Sequence, residues 1–135
     1  MKTSFRLIFT LTLIILTSMI ANAGDHEAMT VAKEWLALVD AGEYNQSWLT
    51  ANKTLKEQSE KDDWANYLKA IREPLGKIIS RKVTRTRTVT QIQGMPDGEY
   101  FQVQFEVKFA NKSGMERMTV AKESGGWKVA GYMMR

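Results

Sequence analysis

The chain has 135 residues, nineteen Lys and Arg against fifteen Asp and Glu, and no cysteine. That length holds one domain and leaves no room for a second. The missing cysteines exclude disulfides, a thiolate nucleophile or metal ligand and a lipid attached at a leader junction, and a single histidine, His26, excludes a histidine triad or a multi-histidine metal centre.

The first 23 residues read as a secretory signal peptide. Lys2 and Arg6 precede an apolar run from Leu7 to Ile20, and Ala21-Asn22-Ala23 closes it with small residues. The run of 14 residues is broken by Thr10, Thr12, Thr17 and Ser18, and it is shorter than the roughly 17 to 25 residues that span a bilayer. The pattern predicts cleavage after Ala23 and an exported, periplasmic product comprising residues 24–135 as a single α+β domain. Within that product the charge is split. Residues 24–64 hold nine acidic and four basic side chains, net −5, whereas residues 65–135 hold six acidic and thirteen basic, net +7, so the folded molecule should be electrostatically polarised.

Val31, Ala32, Trp35, Leu36, Leu38 and Val39 recur at helical spacing and predict a helix over Ala28–Ala41, with Asp25 as cap and Gly42 as stop. Tyr44 and Trp48, four apart, predict a short helix from Glu43 to about Thr50. Residues 52–58 are open between a helical turn and a loop. Ser59 with Asp62 resembles a capping box that opens a third helix carrying Trp64, Leu68 and Ile71, and Pro74 closes it. Gly76 lets the chain reverse.

From Ile78 the period becomes that of strands. Lys82–Ile92 is rich in Thr and Val, residues 94–98 form a turn, and Glu99–Ala110 alternates Phe101, Val103, Phe105, Val107 and Phe109 with polar residues. Turns at 111–114 and 124–126 separate two further strands, Met115–Lys122 and Trp127–Met133. Three N-terminal helices packed on a four-stranded antiparallel sheet are therefore expected.

Several stretches then resemble the bacterial domain-of-unknown-function family 4019: Trp35-Leu36, Tyr44, Ser47-Trp48, Trp64, Arg72-Glu73-Pro74-Leu75-Gly76 with Arg81, residues 95–100, and Gly126-Trp127-Lys128-Val129-Ala130-Gly131-Tyr132. The resemblance covers essentially the whole chain beyond the leader. It implies an exported envelope protein with a cystatin-like or NTF2-like roll, and it carries no catalytic motif.

The glycines of residues 94–98 and 125–126 sit at hairpin turns, so no phosphate-cradling loop or dinucleotide fingerprint is read, and no cofactor or metal is expected. NTF2-like rolls sometimes move a proton with an Asp/Tyr pair inside the cone, and Asp40 with Tyr44 would be that pair here, against a plain capping or surface role for Asp40. Trp48, Trp64, Arg72, Tyr100 and Tyr132 are ligand-binding candidates, although core packing accounts for most of the aromatics and an ion pair for Arg72. The basic run Lys77, Arg81, Lys82, Arg85 and Arg87 has no acidic residue within it; on a regular strand Arg81, Arg85 and Arg87 share one face and form an anion patch, with Lys82 on the other, against the reading of a charged sheet edge.

Three functions follow as alternatives. The first is a non-enzymatic domain binding a partner or small ligand in the concavity between helices and sheet. The second is a small acid-base enzyme using Asp40 and Tyr44. The third is a charge-driven module binding anionic lipid or an acidic envelope protein. Export argues against nucleic acid, and the exposed sheet face, including Tyr100 and Gln102, offers a surface for a homodimer.

Overall fold

The structure is a computed structural model that describes residues 23–135. The leader expected over residues 1–23 lies outside the described residues except for Ala23. Helix α1 runs over 23–40, followed by α2 (Tyr44–Leu49), α3 (Lys53–Gln58) and α4 (Lys61–Arg72), a short 3-10 turn at Glu73–Leu75, and strands β1 (Ile78–Val89), β2 (Tyr100–Phe109), β3 (Ser113–Glu123) and β4 (Gly126–Met134). The strands form one antiparallel sheet in the order β1-β2-β3-β4. Among the described residues no helix is long and apolar enough to cross a membrane.

The architecture is the expected α+β, with four helices among the described residues where three were expected. Residues 53–58 are helical because the Asn52 side chain accepts from the Leu55 amide at 3.2 Å, an N-cap that satisfies an otherwise orphan donor. Two other caps differ from expectation. Asp25 lies inside α1, where its carboxylate accepts from the Thr88 hydroxyl at 2.9 Å and ties the helix to β1. Glu60 is extended (φ −65°, ψ 154°), so α4 begins one residue later than a Ser59 capping box requires, with Glu60 at the N-cap and no side-chain bond there. Asp62 and Asp63 in the first turn still complement the helix dipole.

Gly42 ends α1 as foreseen. Its φ of +76° allows the Glu43 amide to reach the Leu38 carbonyl at 2.9 Å while its own amide reaches Val39 at 3.0 Å, a Schellman closure. α1 lays Ala28, Ala32, Trp35, Leu36 and Val39 on the sheet, α4 adds Trp64 and Leu68, and all five alternating apolar residues of β2 are buried against them. Met118, Val120, Trp127, Val129 and Tyr132 complete the core from β3 and β4. The concavity that was expected to admit a ligand is thus occupied by side chains.

β1 carries the decisive irregularity. Arg81 pairs with Val107 and Val83 with Phe105, both on the core side, but a register shift between Val83 and Arg85 leaves Thr84 as an extra residue. Beyond it Arg85 faces Gln104 and Arg87 faces Gln102, on the opposite side of the sheet. A one-residue bulge exchanges the two faces of everything that follows. Arg81 therefore does not share a face with Arg85 and Arg87, contrary to the regular-strand expectation.

Candidate functional site

Two groups of charged side chains result, one inside the helix-sheet layer and one outside it. The inner group has Asp40 from the end of α1, Arg72 from the end of α4, Arg81 from β1, Glu116 from β3 and Tyr132 from β4. Arg72 Nη2 donates to Asp40 Oδ1 at 2.6 Å, and Arg81 donates to both Asp40 oxygens at 2.8 and 3.0 Å. Arg81 Nε and Nη2 donate to Glu116 at 2.6 and 3.1 Å, and the Tyr132 hydroxyl donates to Glu116 Oε1 at 2.7 Å. Two guanidinium groups face two carboxylates, so the cluster is neutral. The Arg72 and Arg81 guanidiniums also lie over the rings of Phe109 and Phe105, at 4.9 and 5.9 Å from the centroids.

Burial sets the electrostatics. Glu116 is fully buried, and the side chains of Arg72, Arg81 and Asp40 are 5%, 16% and 19% exposed. Burial alone would raise the Asp40 carboxyl, but hydrogen bonds from Arg81 and Arg72 and their charges more than offset it and hold Asp40 below the ordinary carboxylate range. Burial and the neighbouring Glu116 charge push the Tyr132 phenol well above its ordinary value. For Arg72 and Arg81 burial acts downward, while the bonds to Asp40, and for Arg81 to Glu116, leave both guanidiniums more firmly protonated than usual.

Asp40 and Tyr44 do not form the expected proton-transfer pair. No hydrogen bond joins them, and the Asp40 oxygens are committed to guanidinium groups. Both residues instead line a shallow surface cleft of about 320 Å³ that also includes Lys77 and Gly76.

The five ligand candidates are not brought together either. Trp64 is in the core, its indole donating to Ser47 Oγ at 3.0 Å, and Arg72 and Tyr132 belong to the ionic cluster. Trp48 is half-buried at a separate surface cleft beneath Lys56. Tyr100 lies on the other side of the sheet, buried with Ala121 and Ala130 under Val89, Ile92 and Met95, its hydroxyl bonded to the Pro96 carbonyl. It is consequently not part of an exposed dimerisation face.

Sequence reasoning missed Glu116, Ser47 and Arg117. Glu116 had a readable signal, because it shares strand parity with Met118 and Val120. Ser47 sits between Trp35, whose indole donates to its carbonyl at 2.8 Å, and Trp64, and thereby joins α1, α2 and α4. No local pattern announces that role.

The outer group lies on the opposite face of the sheet. Register places Arg87, Gln102 and Thr119 in one cross-strand row, Arg85, Gln104, Arg117 and Met133 in the next, and Lys82, Glu106 and Met115 in a third, with Met115 beside Arg135. Arg85, Arg87 and Arg117 are exposed, and none of them makes an ion pair among the described residues. With Gln102 and Gln104 they line a recess of about 200 Å³. Lys82, Lys108 and Arg135 extend the positive surface, and Glu106 is its one carboxylate on these rows.

A family model described as protein of unknown function (DUF4019) matches residues 31–132. The chain belongs to this family. The matched span of DUF4019 contains the whole ionic cluster, from Asp40 on α1 to Tyr132 on β4, and the Arg85, Arg87, Gln102, Gln104 and Arg117 side chains of the outer recess. No curated protein matches the chain. Family membership agrees with the resemblance read from the Arg72–Gly76 and Gly126–Tyr132 stretches, and it brings no reaction with it.

Proposed function

We propose that the chain is a non-enzymatic interaction domain of the bacterial envelope that docks on an anionic membrane surface through the outer face of its sheet. The observation that carries this reading is the charge of that face: Lys82, Arg85, Arg87, Lys108, Arg117 and Arg135 against Glu106 alone. Met115 and Met133, 43% and 40% exposed, sit among these cations and offer flexible apolar contacts at a lipid interface. Each cation held near an anionic leaflet contributes on the order of 1 kcal/mol, so the six together suffice for reversible attachment.

The two alternatives lose ground for physical reasons. A ligand in the helix-sheet concavity would have to displace Trp35, Phe105, Phe109 and Tyr132. General-base catalysis by Asp40 needs a carboxyl tuned toward neutrality, whereas two guanidinium groups tune it the other way.

Sedimentation with phosphatidylglycerol vesicles at low and high salt is the direct test. Binding to these and not to neutral phosphatidylcholine vesicles, lost on raising salt from about 0.05 to 0.5 M as the Debye length shrinks, is the expected result. Absence of binding at low salt would overturn the reading and favour an acidic protein as the partner.

A further inference from the structure

Arg87 and Arg117 are held more firmly than a diffuse positive surface requires. Gln102 accepts from Arg87 Nη2 at 2.7 Å and donates to Thr119 Oγ1 at 3.4 Å, while Gln104 accepts from Arg117 Nη2 at 3.3 Å and donates to Thr84 Oγ1 at 3.3 Å. Two neutral carbonyl oxygens therefore hold two guanidinium groups in place without neutralising them. Arg85 stands in the Gln104 row, and its guanidinium has no hydrogen bond to any described residue. Protection of a sheet edge accounts for Arg85 and Arg87 on β1. It does not account for Arg117, because β3 is an inner strand with neighbours on both sides.

We infer that this recess is a headgroup site that takes a phosphomonoester of an anionic lipid, an inference that rests on the membrane-docking reading. Three charges around about 200 Å³ exceed what one singly charged group can satisfy. A phosphomonoester brings a charge of roughly −1.5 to −2 and three acceptor oxygens, enough to engage three guanidinium forks at once. A phosphodiester, with one charge and two free oxygens, leaves one of them unmatched. The Thr84 bulge places the site: without its change of parity, Arg85 and Arg87 would face the core.

The test compares phosphatidic acid vesicles, which present a phosphomonoester, with phosphatidylglycerol vesicles, which present a diester, at equal measured surface potential and equal salt. The wild-type chain should bind the phosphatidic acid vesicles about tenfold more tightly, because charge-assisted bidentate bonds add to the general attraction. The R85Q/R87Q/R117Q variant, its fold checked by circular dichroism, should lose that preference. The Q102L/Q104L variant keeps every charge and should retain attachment to both vesicles with a reduced preference. Equal salt-sensitive binding of wild type to both vesicles would overturn the recess while leaving membrane docking intact, as would a preference that survives in the triple variant. Binding to neither would remove both readings.

Discussion

At the scale of single residues, the neutral cluster of Asp40, Arg72, Arg81 and Glu116 dominates. Glu116 is fully buried and accepts from Arg81 and Tyr132, so Glu116→Gln leaves a net positive charge in the core and should cost about 3–5 kcal/mol of unfolding free energy. Glu106→Gln on the exposed face should change it by less than about 0.5 kcal/mol; urea unfolding of the two variants measures both. Asp40 gives a pH dependence with a definite sign. Its folded carboxyl titrates below the ordinary range, so the unfolded chain binds more protons in acid. The stabilisation is complete above about pH 4, near the unfolded pKa, and is lost as pH falls through the lower folded value. Asp40→Asn should therefore lower stability at pH 7 and flatten the acid limb of a thermal-melt series between pH 5 and 2; an acid limb as steep as that of wild type would show that other carboxylates govern it. Arg72 was legible as an ion-pairing residue because it follows Leu68 by one helical turn. Its partners were not, since Asp40 is 32 and Glu116 is 44 positions away.

At the scale of elements, hydrophobic period located α1, α2, α4 and β2 to β4, because each buries one face against the others, whereas β1 was legible from its Thr and Val content. β2 was the clearest, with five buried residues in strict alternation. α3 was ambiguous because its six residues bury only Leu55, and its existence depends on the Asn52 cap and on docking beside β4, where the Asn52 amide reaches the Val129 carbonyl at 2.8 Å. The β1 bulge was not legible at all: Lys82 to Thr88 offers no apolar alternation to reveal a change of face. Deleting Thr84 should restore one parity from Ser80 to Val89, beyond the other register shift between Ile78 and Ser80, forcing either Arg81 out of the cluster or Arg85 and Arg87 into the core. The expected result is a loss of cooperative unfolding or a fall in Tm larger than for deletion of Gly125 in the exposed turn between β3 and β4. The turn into β1 has its own requirement. Gly76 adopts φ +76°, ψ −167°, a region essentially closed to other residues, and an added Cβ would meet Ala110 Cβ at 3.0 Å. Gly76→Ala should cost about 1–3 kcal/mol, read by the same urea titration.

At the scale of the whole molecule, the charge division seen along the sequence becomes a division in space. The basic C-terminal half supplies two arginines to the neutral interior cluster, Arg72 and Arg81, and collects much of the remainder on the outer sheet face. Stacking two such faces would set six cations of one copy against six of another. The chain should accordingly sediment as a monomer at low ionic strength, and a dimer seen there by analytical ultracentrifugation would have to use another surface. Tyr100, offered by the sequence as part of a pairing face, is instead covered by the 92–96 segment of its own chain.

Hydrophobic period and turn residues by themselves determined the α+β class and its antiparallel meander, because those follow from which residues must leave water and at what spacing, while the family was legible in short motifs such as Arg72–Gly76 and Gly126–Tyr132. The leader pattern also carried the expectation of export. Only the tertiary structure decided where the arginines go. One extra residue at Thr84 leaves Arg81 facing Asp40 and Glu116 while Arg85 and Arg87 face solvent beside Arg117, since strand parity is reset by pairing between strands and not by the residues along one of them.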